Sequence, residues 1–167
     1  MKKILKSAVA ILVIISCFVM LVSCAQPKKD MDKAAKNLRN SGYEVYVNED
    51  PGAGMETIIT AKKNSDGKTY SLKFMECETL KLAKLLYQQL RNEIQSQINE
   101  NKMSIKAAKH ILNKFDDELS ASEKDEYNQM INDLKDENKE LKELLSCTGR
   151  SGKYVWQGDR EAIKATK

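Results

Sequence analysis

The spacing of apolar residues indicates a helix followed by strands in the first half of the chain. Met31, Ala34, Ala35 and Leu38 recur at helical spacing, after a capping Asp30 and before Gly42. Alternating or β-branched runs then occupy residues 43–47, 55–62 and 69–75. Asp66-Gly67 separates the last two runs and is a strong hairpin signal. The pattern predicts a helix and a three-stranded antiparallel meander, with a loop at 48–54.

From residue 79 the apolar period changes to that of helices. One stripe steps by four residues and predicts a long amphipathic helix over 79–101: Leu82, Leu86, Leu90, Ile94 and Ile98. A second helix is predicted through residues 105–119, and a third after Ser122, where Ser122 and Asp125 fit a capping signal. "CTGRSGK" is a predicted break. Residues 153–157 then predict a fourth strand, and Asp159 opens a short closing helix.

These elements predict an α+β fold for a single domain at 30–167. An N-terminal helix precedes an antiparallel sheet of about four strands, and the late strand lies beside the early meander. A long helical segment at about 78–147 is inserted between strands three and four.

The third helix carries an apolar stripe with coiled-coil spacing. Its members step by three and four residues: Ile131, Leu134, Asn138, Leu141 and Leu145. An asparagine at such a position often fixes the register of a dimer. Because the repeat spans barely two heptads, the sequence favours packing against the Leu82–Ile98 helix of the same chain. A seam with a protein partner or a second copy is the alternative, and the oligomeric state stays open.

The first residues have the parts of a secretory signal peptide. Residues 1–6 contain three lysines and no acid, and residues 7–22 carry no charge. This uncharged run is slightly short for a membrane-spanning helix, which needs about 20 residues. The run ends in "LVSC", Leu21 to Cys24.

"LVSC" resembles the lipobox of bacterial lipoproteins, in which an aliphatic, a tolerant and a small residue precede an obligatory cysteine. The resemblance implies diacylglycerol on the Cys24 sulfur and cleavage before Cys24. Residues 1–23 are then a signal peptide and 24–29 a tether. The protein is expected at the cell surface, anchored to the outer face of the cytoplasmic membrane or to another leaflet. An uncleaved N-terminal helix is the alternative. "GYEV" and "GKYVWQGDREAIK" also resemble segments of small uncharacterised bacterial lipoproteins.

Removal of the leader changes the charge. The whole chain has a formal charge of +4. Because three of its lysines belong to the leader, the chain that remains after cleavage has a formal charge of about +1. A nearly neutral charge weakens the interpretation as a nucleic-acid-binding protein, which would need a concentrated basic face, and no nucleic-acid partner is expected. Lys28 and Lys29 either contact anionic lipid headgroups or belong to a solvated tether.

Two of the four cysteines stay unassigned once Cys17 leaves with the leader and Cys24 is lipidated. Cys77 and Cys147 lie at the two ends of the helical segment. A disulfide between them would close a loop of about seventy residues and stabilise by roughly 4 kcal/mol. The alternative, which the sequence favours equally, is that Cys77 and Cys147 are two reduced, buried thiols.

No catalytic or metal-binding set is found in the sequence. His110 is the single histidine, on a polar helix face, and no cofactor motif is present. "TGRSGK" lacks the spacing of a phosphate loop, and the acids fall on polar helix faces. We therefore expect that the protein is not an enzyme. We expect an exported, membrane-anchored protein that acts as a binding or interaction module. An extracytoplasmic assembly protein that uses its long helices for docking is the alternative.

Overall fold

The computed structural model describes residues 26–167, so the leader and the lipobox cysteine Cys24 lie outside the described residues. The elements follow one another in this order: α1 (Met31–Asn40), β1 (Glu44–Gly52), β2 (Met55–Ser65), β3 (Lys68–Cys77), α2 (Leu80–Lys114), α3 (Ala121–Cys147), β4 (Gly149–Ser151), β5 (Tyr154–Gly158) and α4 (Arg160–Ala165). The predicted α+β class is confirmed. No helix within this part of the chain is both long and apolar enough to span a bilayer.

The five strands form one antiparallel sheet in the order β1-β2-β3-β5-β4. The late strand β5 does pair with β3, as predicted, and its Trp156 lies opposite Phe74. The predicted break at "CTGRSGK" is partly wrong, because Gly149–Ser151 forms a fifth strand. Gly152 has a φ of +61°, which closes the tight turn that pairs β4 with β5.

The first strand is longer than predicted. β1 continues to Gly52, so the expected loop over residues 48–54 is wrong for most of its length. Its register shifts between Glu49 and Gly52, where Asp50 has a φ of +50°. β1 is an edge strand, so the missing N–H of Pro51 leaves no partner strand unsatisfied, and the irregularity is tolerated.

The core lies on both faces of the sheet because successive strand residues point to opposite sides. On one face, Phe74, Ile59 and Trp156 pack with residues of α1 and α4. On the other face, Met75, Cys77 and Val155 pack against the first turns of α2. The sheet is therefore covered on both sides.

The helical segment contains two helices rather than the predicted three. The break expected between residues 101 and 105 is absent, and α2 runs unbroken over 35 residues. "NKMS" contains no glycine or proline that would end a helix. The helix therefore continues through these residues, and the position of the apolar stripe shifts around the helix axis. Phe115 caps the end of α2.

The predicted cap of the last long helix is also wrong. Ser120 rather than Ser122 is the N-cap of α3, and Glu123 rather than Asp125 completes a reciprocal capping box. Ser120 Oγ accepts from the Glu123 N–H, and a Glu123 carboxylate oxygen accepts from the Ser120 N–H at 2.9 Å. Serine is a preferred N-cap residue at either position, but only Ser120 is followed three residues later by a glutamate, which completes a capping box.

α2 and α3 pack against each other as an antiparallel hairpin. Gln97 Nε2 donates to Glu137 Oε1 at 2.9 Å, and Arg91 donates to the Leu145 carbonyl at 3.3 Å. In the predicted stripe, Ile131 and Asn138 are buried and the three leucines are half-buried: Leu134, Leu141 and Leu145. The stripe thus lies in a seam within the chain.

Candidate functional site

An open cleft of about 860 Å³ lies where the helical hairpin meets the sheet. Three segments line it: the start of β3 at residues 67–71, α3 between Glu137 and Leu144, and the β5–α4 junction with Gly158, Asp159 and Glu161. Its volume lies within the range of small-molecule sites, about 300–1,000 Å³.

The lining of the cleft is strongly acidic. Five carboxylates contribute to it, and Lys68 is the only basic residue in the lining: Glu137, Glu140, Glu143, Asp159 and Glu161. The three glutamates share one face of α3 because they are spaced by three residues. The ion pairs of Lys153 and Lys124 lie elsewhere in the described chain. A concave surface lined by one sign of charge concentrates the potential that attracts the opposite charge.

Asp159 is held in place by reciprocal hydrogen bonds with β3. Its N–H donates to the Ser71 carbonyl at 2.8 Å, and its Oδ2 accepts from the Ser71 N–H. The carboxylate therefore binds β3 rather than capping α4, where it makes no side-chain cap bond. This fixes one acidic group at the base of the cleft.

Gly158 permits this close approach. A Cβ at that position would lie 2.4 Å from the Ser71 carbonyl oxygen and 2.7 Å from Leu72 Cα, both backbone atoms. Backbone cannot yield as a flexible side chain can, so any larger residue would push β5 from β3. The glycine thus keeps Asp159 within reach of Ser71.

The acidic potential extends to the neighbouring tyrosine. The pKa of the Tyr43 hydroxyl is raised, chiefly by burial and then by the negative charges of Asp159 and Glu161. Each cause disfavours the phenolate. Tyr43 therefore stays a neutral hydroxyl beside two carboxylates, and it packs in the core cluster with α1.

The cleft combines acidic and apolar side chains. Across residues 26–167, no three histidine, cysteine or acidic side chains converge in a way that could hold a metal ion. The five carboxylates line an open space together with Leu141, Leu144 and Tyr70. This combination can pair with separated positive charges and contact the apolar links between them.

The cysteines lie in different clusters. Cys77 packs with Met75 and Val155 on one face of the sheet, and Cys147 packs with Trp156 in the other cluster. Both are buried thiols in the structure. Burial raises the pKa of the Cys77 thiol, with Lys153 acting in the opposite direction. The disulfide stays a prediction, which a thiol count tests.

The remaining sequence candidates do not meet at the cleft as a group. His110 is exposed on α2, and of the stripe residues only Leu141 lines the cleft. Asn138 instead lies in the seam, where its Oδ1 is buried without a hydrogen bond. Asn101 on α2 is similarly buried, and its Nδ2 also has no partner.

Sequence reasoning missed the cleft because it treated "KDENKE" as a solvated helix face. A usable signal was present, since glutamates at 137, 140 and 143 repeat every three residues. What the sequence does not reveal is that β3 and the Asp159 turn line the same cleft. Residues 67–71 of β3 precede these glutamates by about seventy residues, so their approach is a tertiary contact.

The sequence profile of one protein family, described as "Protein of unknown function (DUF1722)", matches residues 60–148. This is just over half of the chain. The chain belongs to the DUF1722 family. The DUF1722 match covers most of β2, all of β3 and the helical hairpin, including the α3 wall of the cleft. No curated protein and no solved structure matches the chain.

Proposed function

We propose that this DUF1722 protein is an exported lipoprotein, anchored through Cys24, whose domain binds an organic polycation in the acidic cleft. The observation that carries the binding proposal is the convergence of five carboxylates on one cavity of about 860 Å³. The anchoring proposal rests on the signal-peptide pattern and on "LVSC". The ligand class follows from the charge and from the apolar side chains between the carboxylates.

The physical basis for binding is preorganised charge. Asp159 is already fixed by Ser71, so this carboxylate loses little freedom when a cation arrives. Glu140, Glu143 and Glu161 are exposed, so each pairing with a ligand ammonium is screened and contributes modestly. Several such pairs act together on a ligand with several charges.

Calorimetric titration with spermine tests the cleft. Glu140→Gln with Glu143→Gln removes two charges without changing shape, and we expect spermine affinity to fall about tenfold. The matched control is Asp125→Asn with Glu126→Gln, an equal charge change on exposed positions of the same helix. Equal spermine affinities for the two double variants would contradict the proposal, because binding would then depend on the net charge of the protein and not on the carboxylates of the cleft.

Fatty-acid labelling in cells tests the anchor. Cys24→Ala should abolish incorporation of the label, and the unprocessed leader should remain on the chain. Cys17→Ala is the matched control, since that cysteine precedes the cleavage point and should not affect labelling. Persistent label on the Cys24 variant would contradict lipidation at this position.

The hairpin carries an observation that favours the second candidate, assembly through the long helices. Met103 is 65% exposed and Met130 is 39% exposed. The Gln97–Glu137 contact places these two methionines at about the same level of the antiparallel hairpin. Met103→Gln with Met130→Gln should weaken self-association in sedimentation if a second copy docks there. A monomer at all concentrations would rule out assembly through a second copy of the chain.

A further inference from the structure

The face formed by α1 and α4 combines a basic surface with the point where the chain leaves toward its anchor. Most of its charged side chains are cations: Lys28, Lys29, Lys33, Lys36, Arg39, Lys164 and Lys167. The acids on the two helices are Asp32 and Glu161, with Asp30 just before α1. Glu161 lines the cleft, and Asp30 Oδ1 is engaged as the N-cap of α1.

The two helices are joined into one surface. Asn37 Nδ2 donates to the Thr166 carbonyl at 3.2 Å, which places the end of α4 beside the second half of α1. The buried side of α1 faces the sheet through Ala34, Ala35 and Leu38. Its opposite side therefore carries Lys33 and Lys36 outward, and Lys164 is exposed on the neighbouring α4.

The anchor leaves this surface little room to move away from the membrane. Pro27 is buried and Lys28 is half-buried, so the chain is already packed against the domain at residue 27. Pro27 lies three steps along the chain from Cys24, and a fully extended chain spans about 11 Å over three steps. A lipid on Cys24 would thus hold this part of the domain at the headgroups.

We propose that the α1–α4 face docks on an anionic phospholipid surface and orients the domain on the membrane. This rests on the lipid anchor proposed above. The occupant follows from charge complementarity, because the leaflet that receives the anchor presents phosphates to the lysines. Acyl chains and a polybasic surface together give the two signals that stable, oriented membrane attachment needs.

The test uses the mature lipidated protein in vesicles and a dye at one of two positions. Asn40→Cys places the dye on the α1 face, and Asp117→Cys places it in the turn of the hairpin; both positions are exposed. The native thiols are buried, so a maleimide reacts with the added cysteine. Quencher-labelled headgroups report which position lies near the bilayer.

In vesicles with about one-third phosphatidylglycerol, we expect quenching at Asn40 and much less at Asp117. About 1 M salt shortens the Debye length to about 3 Å and should reduce the quenching at Asn40 to the level that the acyl chains alone maintain. Each lysine near such a surface raises the binding constant about fivefold. Lys33→Glu with Lys36→Glu should therefore reduce the oriented population at least about tenfold.

The matched control is Lys102→Glu with Lys109→Glu, two exposed lysines of α2. The control should keep the quenching of the unaltered protein. Equal quenching at both dye positions, or a Lys33 and Lys36 variant that behaves like the control, would overturn the proposal. An orientation that needs an added protein rather than phosphatidylglycerol would also overturn it.

The experiment separates failure of the anchor from failure of the basic face. Flotation with neutral phosphatidylcholine vesicles reports the acyl chains alone. If the protein does not float with them, the anchor proposal fails. The basic face is then tested by salt-sensitive flotation with phosphatidylglycerol vesicles, which the Lys33 and Lys36 variant should lose.

Discussion

The sheet and the helical hairpin are stabilised in different ways. Around the sheet, large side chains such as Phe74, Ile59 and Leu38 are fully buried, and both faces are covered. In the hairpin seam, two asparagines are buried with an amide atom unsatisfied, and three of the predicted leucines stay half-exposed. The sheet therefore has a core of large buried side chains on each face. The hairpin is instead stabilised by a narrow contact between two helices. The cleft lies where the two meet.

The largest expected effect comes from the sheet. Phe74→Ala removes a fully buried ring between Ile59 and Trp156, and we expect a loss of about 3–5 kcal/mol in the free energy of unfolding. Trp156 is the single tryptophan, so its fluorescence follows the sheet while far-ultraviolet dichroism follows mainly the long helices. Both denaturation midpoints should fall together.

The matching change in the hairpin is Ile98→Ala. Ile98 is 2% exposed, and its loss should cost about 2–3 kcal/mol, mainly in the helical signal. Because few side chains join the distal hairpin to the sheet, the tryptophan midpoint should move less than the helical midpoint. Equal shifts of both midpoints in this variant would show that the two regions unfold as one unit.

A smaller effect of opposite sign is expected at the buried asparagine. Asn138→Leu removes a carbonyl oxygen that has no hydrogen-bond partner, and we expect the hairpin to gain about 1 kcal/mol. Asn37→Leu is the control, because its amide donates to Thr166 and its loss should destabilise by about the same amount. A destabilised Asn138 variant would mean that its carbonyl is satisfied in solution.

The helix cap gives a more local prediction. Ser120→Ala should cost about 1 kcal/mol, whereas Ser122→Ala should change stability little. Hydrogen bonds from Ser120 lower the pKa of the Glu123 carboxyl, so the part of the capping box that depends on the ionised carboxylate is present above its usual pKa. That part should disappear as the pH falls through the lowered value, so the difference between the two variants should become smaller in acid, while the bond from the Glu123 N–H to Ser120 Oγ remains.

The smallest expected effect is that of a reductant. The two thiols lie in different clusters, so reductant should leave the unfolding midpoint unchanged, and unfolded protein should label at both Cys77 and Cys147. Native protein should label slowly, because both are buried and the pKa of Cys77 is raised. No labelling after unfolding without reductant would instead establish the disulfide and its stabilisation of roughly 4 kcal/mol.

The local pattern predicts much of the fold and little of the cleft. Alternation correctly placed Tyr70, Leu72 and Phe74 together on one of the two buried faces of β3. The same reasoning misplaced the α3 cap, since Ser120 and Ser122 differ only in what lies three residues later. It correctly treated Glu140 as a solvated residue, but nothing local shows that Glu140 and Asp159 line the same cleft. Periodicity records which side of an element is buried, not which distant polar groups meet.

The central claim is that a polycation binds where the hairpin meets the sheet. Hydrogen–deuterium exchange of the mature protein with and without spermine tests this claim most directly. We predict added protection in residues 67–71, 137–144 and 158–161, with no change at the turn between α2 and α3. Protection spread along the hairpin, or none at the cleft at saturating spermine, would contradict the account.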